Sequence, residues 1–209
     1  EICGGREETA HVKNTGLCRE LLIPGARVYV QRHRNPARKT ALSLIAVEKD
    51  GRLVNIDSQA PNAVWQEALA GGLLLPGRPE AAALIRREAV FGDSRLDFYI
   101  EWPEVRGWME VKGVTLEEQG VVRFPDAPTE RGRKHLRELS RAAREGWYAA
   151  VVFVIQMEGV SYFTPHRQMD PAFADALEEA VRCGVAALAY DCTVEPDGLT
   201  IRNSVEVVL

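Results

Sequence analysis

From His11 to about Asp57 the apolar residues fall in short runs separated by turn-forming stretches, NTG at 14–16, PGARVYVQ at 24–31, RNPARK at 34–39 and KDGR at 49–52. Short strands punctuated in this way predict a small β-barrel or sandwich, with TALSLIAVE, 40–48, as its most strand-like piece. At PNAVWQEALAGG, 61–72, the period changes: Ala63, Val64, Glu67 and Ala68 recur at helical spacing and two glycines end the run. A first domain over 1–60 and a second over 61–209 are expected from this switch. LLLPGRPEAA, 73–82, is a connector.

The second half alternates strands and helices. LIRREAVFG (84–92), SRLDFYIEW (94–102) and GWMEVKGVTL (107–116) are separated by breaks too short for a parallel crossover, so they predict an antiparallel meander. A helix over 129–146 follows, with Thr129 as N-cap, Glu130 in its first turn and Gly146 at its stop. WYAAVVFVIQ, 147–156, reads as a strand buried on both faces. A second helix over 170–184 is capped by Asp170, carries Pro171 in its first turn and ends at Gly184, before a strand over 185–191. The fold class is α/β (α+β), an N-terminal β-barrel joined to a mixed sheet flanked by helices.

Composition changes this picture little. With 209 residues, 46% hydrophobic and 27% charged, the chain is an ordinary globular sequence. Its net charge of −4 offers no global attraction to DNA or to an anionic membrane, so any nucleic-acid surface is local. Cysteines at 3, 18, 183 and 192 have neither CxxC nor zinc-site spacing, which points to reduced thiols and a cytoplasmic protein. The most apolar stretch, around AAVVFVI at 149–155, suits a buried strand rather than a membrane span.

The chemistry concentrates at MEVKGVTL, 109–116, where Glu110 and Lys112 are two apart on a predicted strand and share a face. In SRLDFYIEW, Leu96, Phe98 and Ile100 are expected on one face and Asp97, Tyr99 and Glu101 on the other. Antiparallel pairing of the two strands brings Asp97 beside Glu110 and Lys112. Adjacent carboxylates repel unless a cation lies between them, and a hard divalent ion such as Mg²⁺ takes oxygen ligands. A lysine there orients the water and offsets charge in phosphodiester hydrolysis. The plainer alternative pairs Asp97 with Arg95 or Lys112 at a sheet edge, with no metal.

Basic residues supply the other candidates. The helix from Thr129 carries Lys134, Arg137, Arg141 and Arg144 along one stripe, with Arg131 and His135 near the helix start, where phosphate is favoured. In the first domain Arg27, Arg32, His33, Arg34, Arg38 and Lys39 crowd together, and Tyr29 adds a stacking surface suited to DNA. Both sets have a bland reading as solvated charge.

GDSRLDF, MEVKGVTL, FPDAPTERGRKHLREL and IRRE, with NTG, PGARV and PN in the same order, resemble the sugar fermentation stimulation protein family, commonly called SfsA. FPDAPTERGRKHL is the most specific piece, and the likeness runs through nearly the whole chain. The family departs from this sequence by placing Cys-Pro where Val12 and Lys13 precede Asn14, and by a basic, aromatic-bearing strand ahead of the present start. The resemblance implies an OB-type barrel, a PD-(D/E)xK restriction-endonuclease-like domain, and DNA as the partner. It assigns the motif acid to Asp97 and the E-x-K pair to Glu110 and Lys112. A site of that type draws a further acid from a neighbouring element, and Glu88 is preferred to Glu67.

Two functions are therefore expected. One is a Mg²⁺- or Mn²⁺-dependent phosphodiesterase, with Asp97 and Glu110 as metal ligands, Lys112 managing the water, and Arg32, Arg34, Arg38, Lys39, Arg131, Lys134 and His135 on DNA. The alternative is a non-catalytic DNA-binding regulator of sugar-metabolism genes that retains the nuclease fold.

Overall fold

The structure, a computed structural model, describes residues 5, 7–14, 16, 18, 20–35 and 37–209. Cys3, Thr15 and Pro36 therefore lie outside the described residues. The N-terminal strands are β1 (Ala10–Val12), β2 (Val28–Arg32), β3 (Leu42–Lys49) and β4 (Arg52–Asn55). Strand β3 is the centre of their sheet: β1 pairs with it in parallel, and β2 and β4 pair with it antiparallel. It is also the most apolar of the four, in keeping with the expectation for 40–48.

Helix α1 (Ala60–Ala70) leads to β5 (Leu84–Phe91), β6 (Ser94–Glu101) and β7 (Arg106–Val114), the expected antiparallel meander. Next come β8 (Leu116–Glu118), β9 (Val121–Phe124), α2 (Glu130–Arg144), β10 (Tyr148–Ile155) and β11 (Tyr162–Pro165). The chain closes with α3 (Pro171–Arg182), β12 (Ala186–Glu195) and β13 (Gly198–Val207). Among the described residues these strands form a nine-stranded mixed sheet in the order β5-β6-β7-β10-β12-β13-β11-β9-β8. The expectation of a helix-strand-helix-strand ending missed β8, β9, β11 and β13. The β8–β9 hairpin turns through Gln119 and Gly120, both at positive φ, a weaker turn signal than Asn-Gly.

Strand β10 explains the layering. Ala149, Val151, Phe153 and Ile155 enter the core beneath α2 and α3, where they meet Leu136, Leu139, Phe173 and Leu177. Ala150, Val152 and Val154 enter the opposite core, with Val64, Trp65 and Leu69 of α1. Helices thus cover both faces, and parallel neighbours β7 and β12 flank β10 through crossovers that contain α2 and α3. The expected caps form: Thr129 accepts from the Gly132 N–H at 3.0 Å and Asp170 from the Phe173 N–H at 2.9 Å.

The N-terminal sheet shares an apolar core with the large one, Val47, Val54 and Ile56 joining the cluster that holds Val114, Val122 and Met157, and polar groups fasten it further. Gln156, just past β10, accepts from the Asn55 N–H with its carbonyl and donates its side-chain amide to Asn55 Oδ1 at 2.8 Å. Lys49 and Arg52 reach Glu117 of β8, at 3.4 Å and 3.0 Å. Among the described residues no helix is long and apolar enough to cross a membrane.

Candidate active site

The β6–β7 ladder ends at Phe98–Met109. Past that point Asp97 turns its side chain into the ladder, and Oδ2 accepts the Val111 N–H at 2.8 Å. The partner position on β5, Glu88, has φ +51° and is skipped in the β5–β6 register. Regular alternation fails here: Leu96 belongs to the core under α2, while Phe98 and Ile100 belong to the core under α1. The expectation that all three share a face is corrected by this break, and it is the break that frees Asp97 to approach β7.

Glu110, only 3% exposed, projects from β7 toward α2. Its Oε1 accepts from Lys112 Nζ at 2.7 Å and from His135 Nδ1. Since a carboxylate only accepts, the His135 proton on that contact sits on Nδ1. Glu110 Oε2 is buried and has no hydrogen-bond partner among the described residues. Asp97 receives a further hydrogen bond at Oδ1 from Asn62 Nδ2 of α1, at 3.1 Å.

The two acids are driven apart in acidity, as acids with different tasks are. Burial and then the charge of Glu110 push the Asp97 carboxyl above the usual carboxylate range, outweighing the Val111, Lys112 and Asn62 contacts. Burial also acts upward on Glu110, but the His135 hydrogen bond and the Lys112 charge outweigh it and hold Glu110 below its ordinary value.

A cleft of about 260 Å³ opens beside Lys112 at the carboxyl end of β7, lined also by Asn14, Asp126, Thr129 and Gln156. Crevices at the carboxyl ends of parallel strands are where ligands bind in α/β sheets. The cleft takes walls from both halves of the chain.

The other expected residues divide. Glu88 does not join the cluster: its carboxylate is exposed and pairs with Arg95 at 3.1 Å, because the positive φ turns it away from β7. Glu67 is exposed on α1. His135, expected to meet phosphate, is 4% exposed and is bound to Glu110, since it lies on the same inward face of α2 as Leu136 and Leu139. Of the stripe on α2, Lys134 donates to the Asp93 carbonyl at 2.9 Å, Arg141 pairs with Glu138 and Glu145, and Arg144 with Glu179. Arg131 and Arg137 are exposed and make no ion pair among the described residues. In the N-terminal sheet Arg32 pairs with Glu8 and Arg38 donates to Ser43, whereas Arg34 and Lys39 are exposed. Asn62 was missed as a site residue, although its Pro-Asn pair at the helix start had been noted.

Two family descriptions match consecutive stretches of the chain. Residues 2–56 match the family description "SfsA N-terminal OB domain", and residues 59–198 match "Sugar fermentation stimulation protein RE domain". A sugar fermentation stimulation protein homolog of Clostridium beijerinckii is 50% identical over 205 residues, covering 98% of this chain and 89% of the relative. The homolog of Thermoanaerobacter sp. strain X514 is 44% identical over 209 residues, covering 100% of this chain and 90% of its own. The solved structure of Pyrococcus furiosus SfsA in complex with Ca²⁺ superposes with a TM-score of 0.88 at 32% identity, covering 98% of this chain and 87% of that one. With both family matches and these identities in agreement, the chain belongs to the sugar fermentation stimulation protein family.

Proposed function

We propose that the chain is a cytoplasmic DNA-binding phosphodiesterase, with a PD-(D/E)xK-type site in which Asp97 and Glu110 hold Mg²⁺ or Mn²⁺. The observation that carries the reading is Glu110 Oε2, a buried carboxylate oxygen with no partner among the described residues, beside a second, half-buried acid. Leaving a buried charged acceptor unpaired costs more than the ~1–3 kcal/mol of a neutral one, so such an oxygen is suited to receive a cation. The donor set fits a hard cation, which prefers carboxylate and amide oxygens. That the Pyrococcus furiosus relative was solved with Ca²⁺ is in line with this donor chemistry.

The residues divide the work. Bound Mg²⁺ or Mn²⁺ supplies Lewis-acid charge to a phosphoryl oxygen. Lys112 and His135 fix Oε1 of Glu110, leaving Oε2 for the cation. Asn62 and the Val111 N–H orient Asp97. Lys112 lines the cleft and holds its ammonium group on Glu110 Oε1, from where it would orient the attacking water and offset charge on the phosphate. For DNA the support is local: Arg34 and Lys39 stand exposed between β2 and β3, and Arg131 and Arg137 stand exposed on α2.

The test offers purified protein several DNA forms with Mn²⁺. Wild type cleaves and Asp97→Asn does not; no cleavage by wild type, or equal cleavage by the variant, rejects the enzymatic reading. A second reading, the non-catalytic DNA-binding regulator, is favoured by one observation. Among the described residues no group of three or more His, Cys, Asp or Glu side chains is placed to hold a metal. It expects binding with a steep salt dependence and no metal-dependent cleavage.

A further inference from the structure

Glu110 Oε2 is not the one unpartnered oxygen near Asp97. Asn62 Oδ1 is also buried without a hydrogen-bond partner among the described residues. Its amide is not free to turn at random, because Nδ2 donates to Asp97 Oδ1 at 3.1 Å and so sets which end of the amide carries the open acceptor. A buried amide oxygen without a donor costs about 1–3 kcal/mol, the same kind of debt that Glu110 carries.

The position of Asn62 is built into the packing. It sits in the first turn of α1, next to the buried Pro61. A Cβ added at Gly113 of β7 would come within 2.7 Å of Pro61 Cγ and 2.5 Å of Gln156 Oε1, so only a glycine lets the helix start press on β7 here. That contact, one residue beyond Lys112, delivers Asn62 to Asp97.

No further acidic ligand stands beside Asp97 and Glu110 among the described residues. Glu67 and Glu88 are exposed, and the described carboxylates and imidazoles form no group of three around this point. A neutral oxygen is what remains, and it suits the charge. Asp97, Glu110 and Lys112 carry a formal charge of −1 together, and a divalent cation brings the group to +1, which matches one phosphodiester anion.

We propose that Asn62 is a third oxygen ligand, through Oδ1, of the divalent cation held by Asp97 and Glu110. The inference rests on the cation-site reading above and assigns to α1 a direct role in the centre. The first turn of that helix completes a coordination set that the two strands leave short.

Eu³⁺ is a luminescent stand-in for a hard, oxygen-seeking cation, and its decay rates in H₂O and D₂O count the water molecules bound to it. In wild type Eu³⁺ binds, and Asn62→Ala raises the water count by about one while weakening Eu³⁺ binding by roughly tenfold or more. Asn62→Asp, which restores an oxygen at the position, returns the count to the wild-type value. An unchanged water count in Asn62→Ala means that Asn62 only steadies Asp97 and overturns the inference. Should Asn62→Ala fail to fold, as judged by circular dichroism, Asn62→Asp decides alone: a wild-type count supports the ligand role and a higher count overturns it. If wild type binds no Eu³⁺ at all, the cation-site reading falls first, an outcome distinct from an unchanged count.

Discussion

Asp97 Oδ2 takes the Val111 N–H at 2.8 Å, so a side chain of β6 makes the hydrogen bond that the β6 backbone gives up where its ladder with β7 ends. A buried N–H left without an acceptor would close such a gap or destabilise it. The carboxylate lets the strands part without that cost, and Glu110 and Lys112 occupy the space beside the opening. The residue proposed to hold a cation is therefore also the residue that keeps the site open.

This double role separates two substitutions. Asp97→Asn keeps an oxygen for the Val111 N–H and folds as wild type does. Asp97→Leu leaves that donor unpaired and lowers stability in urea titrations by about 1–3 kcal/mol. In thermal melts of wild type, Mn²⁺ at 100 times its dissociation constant adds about 2.7 kcal/mol over EDTA, a rise on the order of 5–10 °C. Asp97→Asn shows no such rise, and a rise equal to wild type would detach Asp97 from the cation.

His135 holds Glu110 from α2 and does not touch the proposed cation. Outer partners of this kind change metal affinity by roughly 10- to 100-fold when removed. His135→Leu therefore weakens Mn²⁺ binding, measured by electron paramagnetic resonance, by that order. His135→Asn places an amide N–H near the former Nδ1 position and recovers most of the loss. Equal losses in both variants would mean that the imidazole matters for packing rather than for the hydrogen bond.

The sequence carried the meander, the capped helices and the Glu110–Lys112 pair because each rests on local signals: short breaks, Thr129 and Asp170 as caps, and alternation. It did not carry what depends on a departure from regularity. Perfect alternation put Leu96, Phe98 and Ile100 on one face, while the kink opposite Glu88 moves Leu96 to the other core. Asn62 was invisible as a site residue because its partner, Asp97, is 35 positions away and lies across a helix-sheet contact. His135 looked like a phosphate contact because a basic helix start suggests one, and only the packing of α2 turns it inward.

Asp170 joins the starts of both helices over the sheet. It accepts from the Thr129 N–H at 2.9 Å, from the Phe173 N–H at 2.9 Å and from Arg133 at 2.9 Å. Burial pushes its carboxyl up, but these hydrogen bonds and the Arg133 charge outweigh burial and hold it below the ordinary 3.8. A depressed folded-state value contributes stability that is present above the unfolded value and is lost as pH falls through the folded one. Asp170→Asn consequently lowers stability by about 1–3 kcal/mol at neutral pH. The gap between variant and wild type narrows as pH drops below 3.8, as followed by urea unfolding across pH; a gap that stays constant would show that charge is not the source.

Salt dependence separates the arginines that face solvent freely from those already paired within the protein. Each phosphate neutralised on duplex DNA adds about 0.9 to the slope of log affinity against log salt. Arg131 and Arg137 are exposed on α2 without an ion pair among the described residues, whereas Arg141 bridges Glu138 and Glu145 and lies 4.7 Å from the Phe91 ring. If α2 follows a phosphate backbone, the Arg131→Ala/Arg137→Ala double variant reduces the slope by about 1.8, while Arg141→Ala leaves it unchanged and instead lowers stability by up to about 1 kcal/mol through lost pairing and stacking. An unchanged slope in the double variant removes α2 from the DNA surface and leaves the exposed Arg34 and Lys39, between β2 and β3, to carry it.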